Sequence, residues 1–233
     1  MAQQFGEELE KEVSPFQFAL STRAGTECVS HMIRAATDLD PDLTILSVDE
    51  MSAYDSMRRQ AMLGKLSSRP KLRGLLPFVK MSYGRPSRYF WRDAEGRRHV
   101  VKQGEGGEQG DPLMPALFAL GLHDTLVEVK THMLPGEHLF AYLDDVYIFC
   151  KPERVRTLYN VLEAALWNNT GLRLNKGKTR VYNRSGKKPE GVEELGSDVW
   201  VGGFDRDAAE RGLRYLGFRW ALQSTQRHRG PSG

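Results

Sequence analysis

Two apolar segments of this 233-residue chain each lead directly into acidic residues. Residues 44–48 precede Asp49, and residues 139–143 precede Asp144 and Asp145. Both segments are rich in β-branched, aromatic and aliphatic residues, which predicts buried strands. Since the second apolar run continues beyond its acids, we predict a hairpin with Asp144 and Asp145 at the turn.

Apolar residues recur at helical spacing elsewhere, which predicts amphipathic helices. Thr26 is placed to cap the first of them. A long helix is expected after a glycine-rich loop, with Asp111 as its cap and Pro112 in its first turn. The predicted helices cover residues 26–37, 56–66, a segment from about 113, and 153–169.

Shorter elements complete the pattern. They comprise a hairpin over 89–101, a flexible loop over 104–110, a strand pair formed by 172–174 with 179–182, an exposed loop over 186–207 and a frayed end over 223–233. The resulting order predicts an α+β fold in which helices back one face of an antiparallel sheet. One domain suits this order better than two.

Composition excludes several classes of protein. The chain is 40% hydrophobic and 27% charged, which is ordinary for a globular protein. No apolar run approaches the roughly 20 residues that span a bilayer, and the acidic N-terminus is unlike a signal peptide. We therefore expect no membrane association and an intracellular protein, with nucleus and cytoplasm both open. Cys28 and Cys150 are interpreted as buried free thiols.

The net charge of +3 conceals a basic region over residues 58–102, where 13 Lys and Arg face only Asp93 and Glu95. Within it, cations alternate with aromatic residues over 85–92. This pattern suits phosphate contacts and base stacking. The alternative is a solvated basic face with an aromatic core strand.

The acidic strand ends suggest a metal site. Carboxylates at the ends of neighbouring core strands repel one another unless a cation lies between them. Hard oxygen ligands of this kind suit Mg²⁺. Such a cluster is typical of the protein side of a two-metal phosphoryl-transfer site.

Four sequence blocks, in order, resemble the palm of reverse transcriptases, most closely those of non-LTR retrotransposons and related retroelements. Flanking segments over 17–27 and 212–217 also fit. The resemblance predicts an N-terminal extension over 1–14, a reverse transcriptase domain over 15–222 and a disordered tail over 223–233. The four blocks are SVDEMSAYD (47–55), EQGDPLMPALF (108–118), YLDD (142–145) and GLRLNKGKT (171–179).

The resemblance implies nucleotidyl transfer from a dNTP to the 3′-hydroxyl of a DNA primer on an RNA template. Asp49 and Asp144 would hold two Mg²⁺ ions, or Mn²⁺, with Asp145 nearby and the backbone carbonyl of Glu50 completing the second site. Lys178 would neutralise or protonate the leaving pyrophosphate. The protein partners are left open.

Further residues acquire roles only through the resemblance. Tyr54 would pack under the incoming sugar and exclude a 2′-hydroxyl, with a core tyrosine as the alternative. Gln109 and Gly110 would line the nucleotide and template pocket, or simply form a helix-capping loop. Leu216 and Gly217 would hold the primer end, although an ordinary core strand explains them nearly as well.

Departures from the family pattern leave alternatives open. Met114 replaces a usual serine, and Leu143 is larger than the usual middle residue of its motif. The resemblance implies partial fingers without the first fingers strands, and no thumb. A catalytically silent remnant that binds nucleic acid is therefore one alternative. An RNA-dependent RNA polymerase is another, disfavoured by Tyr54 and the loop at Gln109.

Overall fold

The computed structural model describes residues 2–20, 22–207, 210–215 and 218–219. Both helices and strands occur along these residues, as the apolar pattern predicts. The α-helices are α1 (Ala2–Val13), α2 (Gly25–Leu39), α3 (Ala53–Ser56), α4 (Arg59–Ser68), α5 (Leu76–Tyr83), α6 (Met114–Thr131) and α7 (Val155–Thr170). Short 3₁₀ helices cover Pro70–Leu75, Pro152–Arg154 and Val192–Leu195.

The strands form one main sheet and two separate hairpins. The main sheet has the order β4-β5-β1-β6, and all neighbouring strands are antiparallel. The α+β fold with an antiparallel sheet and helices is therefore confirmed. The strands are β1 (Thr44–Val48), β2 (Ser87–Arg92), β3 (Arg98–Gln103), β4 (His138–Tyr142), β5 (Asp145–Cys150), β6 (Arg180–Tyr182), β7 (Arg214–Tyr215) and β8 (Phe218–Arg219).

Side chains alternate between the two faces of the main sheet. Leu46 and Ile148 belong to the larger core, which α6 and α7 cover. Ile45 and Phe149 point the opposite way, into a smaller core that includes Val29 of α2. Helices therefore cover part of both faces, which differs from the one-sided arrangement predicted from the element order.

Both edges of the main sheet carry additional pairing. Gln17 forms a parallel bridge with Ala141 of β4, and Val181 of β6 forms one with Trp200. The predicted pairing of 172–174 with 179–182 is wrong because β6 pairs with β1 instead. The exposed loop predicted over 186–207 is also wrong in part, since it buries Val192 and Val199 in the larger core.

Two predicted caps differ from the structure. Thr26 lies inside α2, which is preceded by Ala24, and its hydroxyl donates to Tyr142 Oη at 3.4 Å. Asp111 accepts a hydrogen bond from the backbone of Leu113 at 2.8 Å, just before α6. The first turn of α6 contains Pro115, not Pro112.

The β2–β3 hairpin is separate from the main sheet. Phe90 and Trp91 are 54% and 52% exposed. An aromatic core strand, one alternative for the basic region, is therefore wrong.

Cys28 and Cys150 are free thiols; Cys150 is buried and Cys28 is half-buried. Along the described residues, every helix is too short or too polar to cross a membrane.

Candidate active site

The acidic residues of the two central strands meet at one end of the main sheet. Val48 pairs with Val146 across β1 and β5, so Asp49 comes next to Asp145 as the antiparallel register continues. Tyr142 pairs with Asp145, which leaves Leu143 and Asp144 as a two-residue turn. Asp144 is in the predicted hairpin turn, whereas Asp145 is the first residue of β5.

Asp49 and Asp145 face the same side of the sheet, because each lies two residues from a side chain on that face, Ser47 and Tyr147 respectively. Their side chains help to line an open cleft of about 570 Å³. Cations from later segments, Lys178 and Arg206 among them, line the same cleft. Asp198 and Glu210 also line the cleft, and Arg206 pairs with Asp198, so the lining carries charges of both signs.

Burial and mutual repulsion raise the pKa values of the hairpin acids. Desolvation, followed by the charges of Asp144 and Asp49, raises the pKa of Asp145 to about 6. Desolvation also raises the pKa of Asp144, with a smaller contribution from Asp49. Since each shift disfavours the ionised form, a bound cation would stabilise these carboxylates.

Lys178 supplies a positive charge to this cluster. Its Nζ lies 3.0 Å from Asp49 Oδ2, and this contact raises the pKa of Lys178. In the described part of the chain, no three His, Cys, Asp or Glu side chains are already arranged around a metal position. The donor set nevertheless fits a divalent cation, because it offers hard carboxylate oxygens that repel one another.

Glu50 lies on the opposite face of the sheet from Asp49. Its carboxylate is buried, and neither oxygen has a hydrogen-bond partner among the described residues. Desolvation, with the charges of Asp144, Asp49 and Asp145, raises the pKa of Glu50 well above its ordinary value. Its side chain therefore does not belong to the cleft, and the proposed role of its backbone carbonyl stays a prediction.

Tyr54 lies between the core and the acidic cluster. Its ring stacks on Phe118 with centroids 4.9 Å apart. Desolvation, and to a lesser extent the charge of Asp144, raises its pKa to about 12. Tyr54 is thus a half-buried ring close to Asp144, a position compatible with both alternatives drawn from the sequence.

The glycine-rich loop docks against the segment that follows Asp49. Gly106 N–H donates to Met57 O and Gly107 N–H donates to Tyr54 O, both at 2.8 Å. The flexible loop predicted over 104–110 is therefore wrong at these buried glycines. Gln109 and Gly110 are exposed, and Gly110 has a φ of +95°, which favours glycine.

Gln17 is a site residue that the sequence did not identify. Its side chain accepts from Leu143 N–H at 3.0 Å and donates to Leu143 O at 3.1 Å. It thereby holds a turn in which Leu143 adopts a φ of 55°, in the left-handed region. The two residues are 126 apart in the chain, so no local pattern could have predicted their hydrogen bonds.

Two predicted site residues, Leu216 and Gly217, lie outside the described residues. The adjoining strands β7 and β8 pair through Tyr215 and Phe218. The primer-binding role of Leu216 and Gly217 therefore stays a prediction.

Solved structures with a similar fold include telomerases. Apo telomerase from Candida tropicalis, truncated from its C-terminal domain, aligns with a TM-score of 0.58 and 12% identity, covering 82% of this chain and 41% of that one. Telomerase from Candida albicans, in complex with the TWJ fragment of telomeric RNA, aligns with a TM-score of 0.57 and 15% identity, and the alignment covers 78% of this chain and 34% of that one. Apo telomerase from Candida tropicalis aligns with a TM-score of 0.59 and 11% identity, and the alignment covers 81% of this chain and 38% of that one. The chain thus spans about two fifths of these structures or less, and the likeness establishes the fold.

No curated protein sequence matches the chain. The family model described as reverse transcriptase (RNA-dependent DNA polymerase) matches residues 2–220, nearly the whole sequence. The match includes both acidic strand ends, the glycine-rich loop and the segment that carries Lys178. The chain therefore belongs to the reverse transcriptase family of RNA-dependent DNA polymerases.

Proposed function

We propose that this chain is the palm, with part of the fingers, of a retroelement reverse transcriptase. It extends a DNA primer on an RNA template by transferring nucleotides from dNTPs. The observation that carries the proposal is the convergence of Asp49, Asp144 and Asp145 at one end of β1 and β5. Family membership supplies the reaction type.

The three aspartates would hold two divalent ions, Mg²⁺ or Mn²⁺. When bound, such ions lower the pKa of the primer hydroxyl and neutralise the triphosphate. The pKa values of Asp144 and Asp145 are raised in the ion-free protein, so their carboxylates are suited to binding these ions. The backbone carbonyl of Glu50 would add a ligand.

During the reaction, Lys178 would leave Asp49 and contact the departing pyrophosphate. Its Nζ is exposed and already lies on the cleft side of the aspartate cluster. From this position it can neutralise the leaving group or donate a proton to it.

Further residues would position the substrates. The ring of Tyr54, fixed by stacking on Phe118, would exclude a 2′-hydroxyl and so favour dNTPs. Gln109 and Gly110 would line the nucleotide and template pocket. Leu216 and Gly217 would hold the primer end.

The test is primer extension on an RNA template with the wild-type chain and the variants Asp49→Asn and Asp144→Asn. Losing a ligand to the catalytic ions should cost several kcal/mol of transition-state stabilisation, or about 100-fold or more in rate. Asp42→Asn, in the exposed turn before β1, is the matched control and should leave the rate unchanged.

Undiminished synthesis by Asp144→Asn would refute the proposal. Wild-type synthesis no higher than that of Asp49→Asn would instead indicate a silent chain. Faster incorporation of rNTPs than of dNTPs would indicate an RNA polymerase.

A further inference from the structure

The β2–β3 hairpin presents two chemically different faces. Because side chains alternate along each strand, every second residue points to the same side. The register places Tyr89, Trp91 and their partners Val101 and His99 on one face. The other, which we term the cationic face, comprises Arg88, Phe90, Arg92, Arg98, Val100 and Lys102.

The cationic face brings like charges together. Arg88 lies directly opposite Lys102, and Arg92 lies directly opposite Arg98. Like charges in direct cross-strand positions destabilise a strand pair. No acidic side chain among the described residues forms a salt bridge with any of the four. The arrangement therefore favours an anion from outside the hairpin.

Three other cations of the basic region already have acidic partners. Lys65 pairs with Asp124, and Arg69 pairs with Glu12 at 2.8 Å. Lys71 pairs with Glu8 at 3.1 Å. The four cations of the cationic face differ from these three, because they have no acidic partner among the described residues.

An exposed aromatic ring lies between the two charged pairs. Phe90 pairs with Val100 in the middle of the cationic face. The guanidinium of Arg98 lies 4.2 Å from the centroid of the Phe90 ring. Cations that track a backbone beside a ring that stacks on a base are the combination used to bind single-stranded nucleic acid. A duplex keeps its bases stacked and cannot offer one to the ring.

The opposite face differs because none of its residues is a Lys or an Arg. Trp91 stacks on His99 with centroids 4.5 Å apart. His99 Nε2 in turn lies 2.7 Å from Asp93 Oδ2. Tyr89 hydrogen-bonds to Glu108 through its hydroxyl. This face therefore lacks the excess charge that would attract a phosphate.

The base of the hairpin is fixed beside the candidate active site by Arg59, which is buried. The Arg59 guanidinium donates to Arg85 O at 2.6 Å, to Ser87 Oγ at 3.0 Å and to Gly106 O at 2.8 Å. Gly106 belongs to the loop that docks under Tyr54. The hairpin is thus held next to the loop that carries Gln109 and Gly110, which in the proposed function line the nucleotide and template pocket.

We propose that the cationic face binds single-stranded nucleic acid outside the catalytic cleft. Arg88, Arg92, Arg98 and Lys102 contact phosphates, and Phe90 stacks on one base. The identification of this single-stranded nucleic acid as the RNA template rests on the proposed function.

The test is the binding of a fluorescently labelled single-stranded RNA to the full chain, measured by anisotropy over a series of KCl concentrations. The quadruple variant Arg88→Gln/Arg92→Gln/Arg98→Gln/Lys102→Gln should bind more weakly. Its log–log salt dependence should be shallower by about 0.7 for each phosphate that is no longer neutralised, or about 3 for all four cations. The single variants Arg92→Gln and Arg98→Gln should each give about a quarter of that change.

The control matched in net charge replaces four ion-paired surface cations, Lys11, Arg34, Arg156 and Lys188, by Gln. It should retain the wild-type salt dependence, because those cations already pair with acids. Phe90→Ala should weaken binding about 5-fold or more without changing the salt dependence. Duplex RNA should bind equally to Phe90→Ala and the wild type.

Thermal unfolding provides a second readout. Because like charges oppose each other in the free hairpin, Arg92→Gln should not lower the melting temperature, and RNA should stabilise the wild type more than this variant. Equal losses of affinity in the quadruple variant and its control, or unchanged binding in both, would overturn the proposal.

Binding is measured without dNTP and repeated with Asp144→Asn. That variant should bind RNA like the wild type, so a failure of hairpin binding is distinct from a failure of catalysis. Equal binding of RNA and a poly-glutamate chain to the wild type would replace the nucleic-acid assignment by a general polyanion site.

Discussion

At the scale of single residues, the geometry of the acidic turn depends on Gln17. Its amide makes both hydrogen bonds to the backbone of Leu143, whose φ of 55° costs energy for a branched residue. Gln17 is itself buried, so the turn is held by a side chain that is largely shielded from water. It is a positioning residue for Asp144.

Replacing Gln17 by Ala should lower the free energy of unfolding by about 2 kcal/mol, because a backbone donor and acceptor lose their partners. Gln17→Glu should also fail to restore the turn, since a carboxylate cannot donate to Leu143 O. Urea denaturation and primer extension measure the two consequences. Gln60→Ala, on the exposed surface of α4, is the control, and equal stability of the two alanine variants would contradict this role.

Asp145 makes the stability of the cation-free protein depend on pH. Its pKa of about 6 in the folded chain lies above the ordinary 3.8, so the folded state holds more protons between these values. Stability should therefore fall as the pH rises from about 4 to about 6.

Asp145→Asn removes this ionisation. Relative to the wild type, its free energy of unfolding should rise through that window by on the order of 2 kcal/mol. Urea denaturation in EDTA at several pH values measures the difference, with Asp42→Asn as the control. A difference that is constant with pH would show that Asp145 does not titrate in this range.

At the scale of elements, the local pattern of apolar residues was sufficient to predict the strands that carry the acidic residues. The apolar runs before Asp49 and Asp144 predicted β1 and the β4–β5 hairpin, and helical spacing predicted α2 and α7. The local pattern could not predict which strands pair or how the loops dock. The choice of β1 as the partner of β6, and the clamp of Gln17 on Leu143, depend on contacts between distant segments.

The docked glycine loop is the clearest case. A Cβ on Gly106 would overlap the backbone oxygens of Asp55 and Tyr54, and the φ of this glycine is +67°. Composition alone suggested flexibility, because glycine permits both a mobile loop and a close backbone approach.

Gly106→Ala should therefore destabilise the chain by about 2 kcal/mol or more, since backbone atoms cannot move aside as a flexible side chain can. Gly104→Ala, in the same loop, is the matched control, because a Cβ there meets nothing within 4 Å. Thermal and urea denaturation of the two variants measure the difference. Similar stabilities would contradict tight docking of the loop.

At the scale of the whole molecule, the sheet separates packing from chemistry. Its inner face is closed by α6 and α7, while the face that bears Asp49 and Asp145 is covered by α2 at one end and opens into the cleft at the other. The telomerase structures share this fold at 11% to 15% identity. The arrangement therefore does not require the same side chains throughout.

The pairing at the two outer strands also affects solubility. Backbone groups of Phe16 and Phe18 bond to Ala141 of β4, and those of Val199 and Val201 bond to Val181 of β6. An outermost strand with unsatisfied amides is a template on which another polypeptide can add and start aggregation. At Ala141 and Val181 the chain supplies its own covering segments, which reduces the number of free backbone groups on which such growth can start.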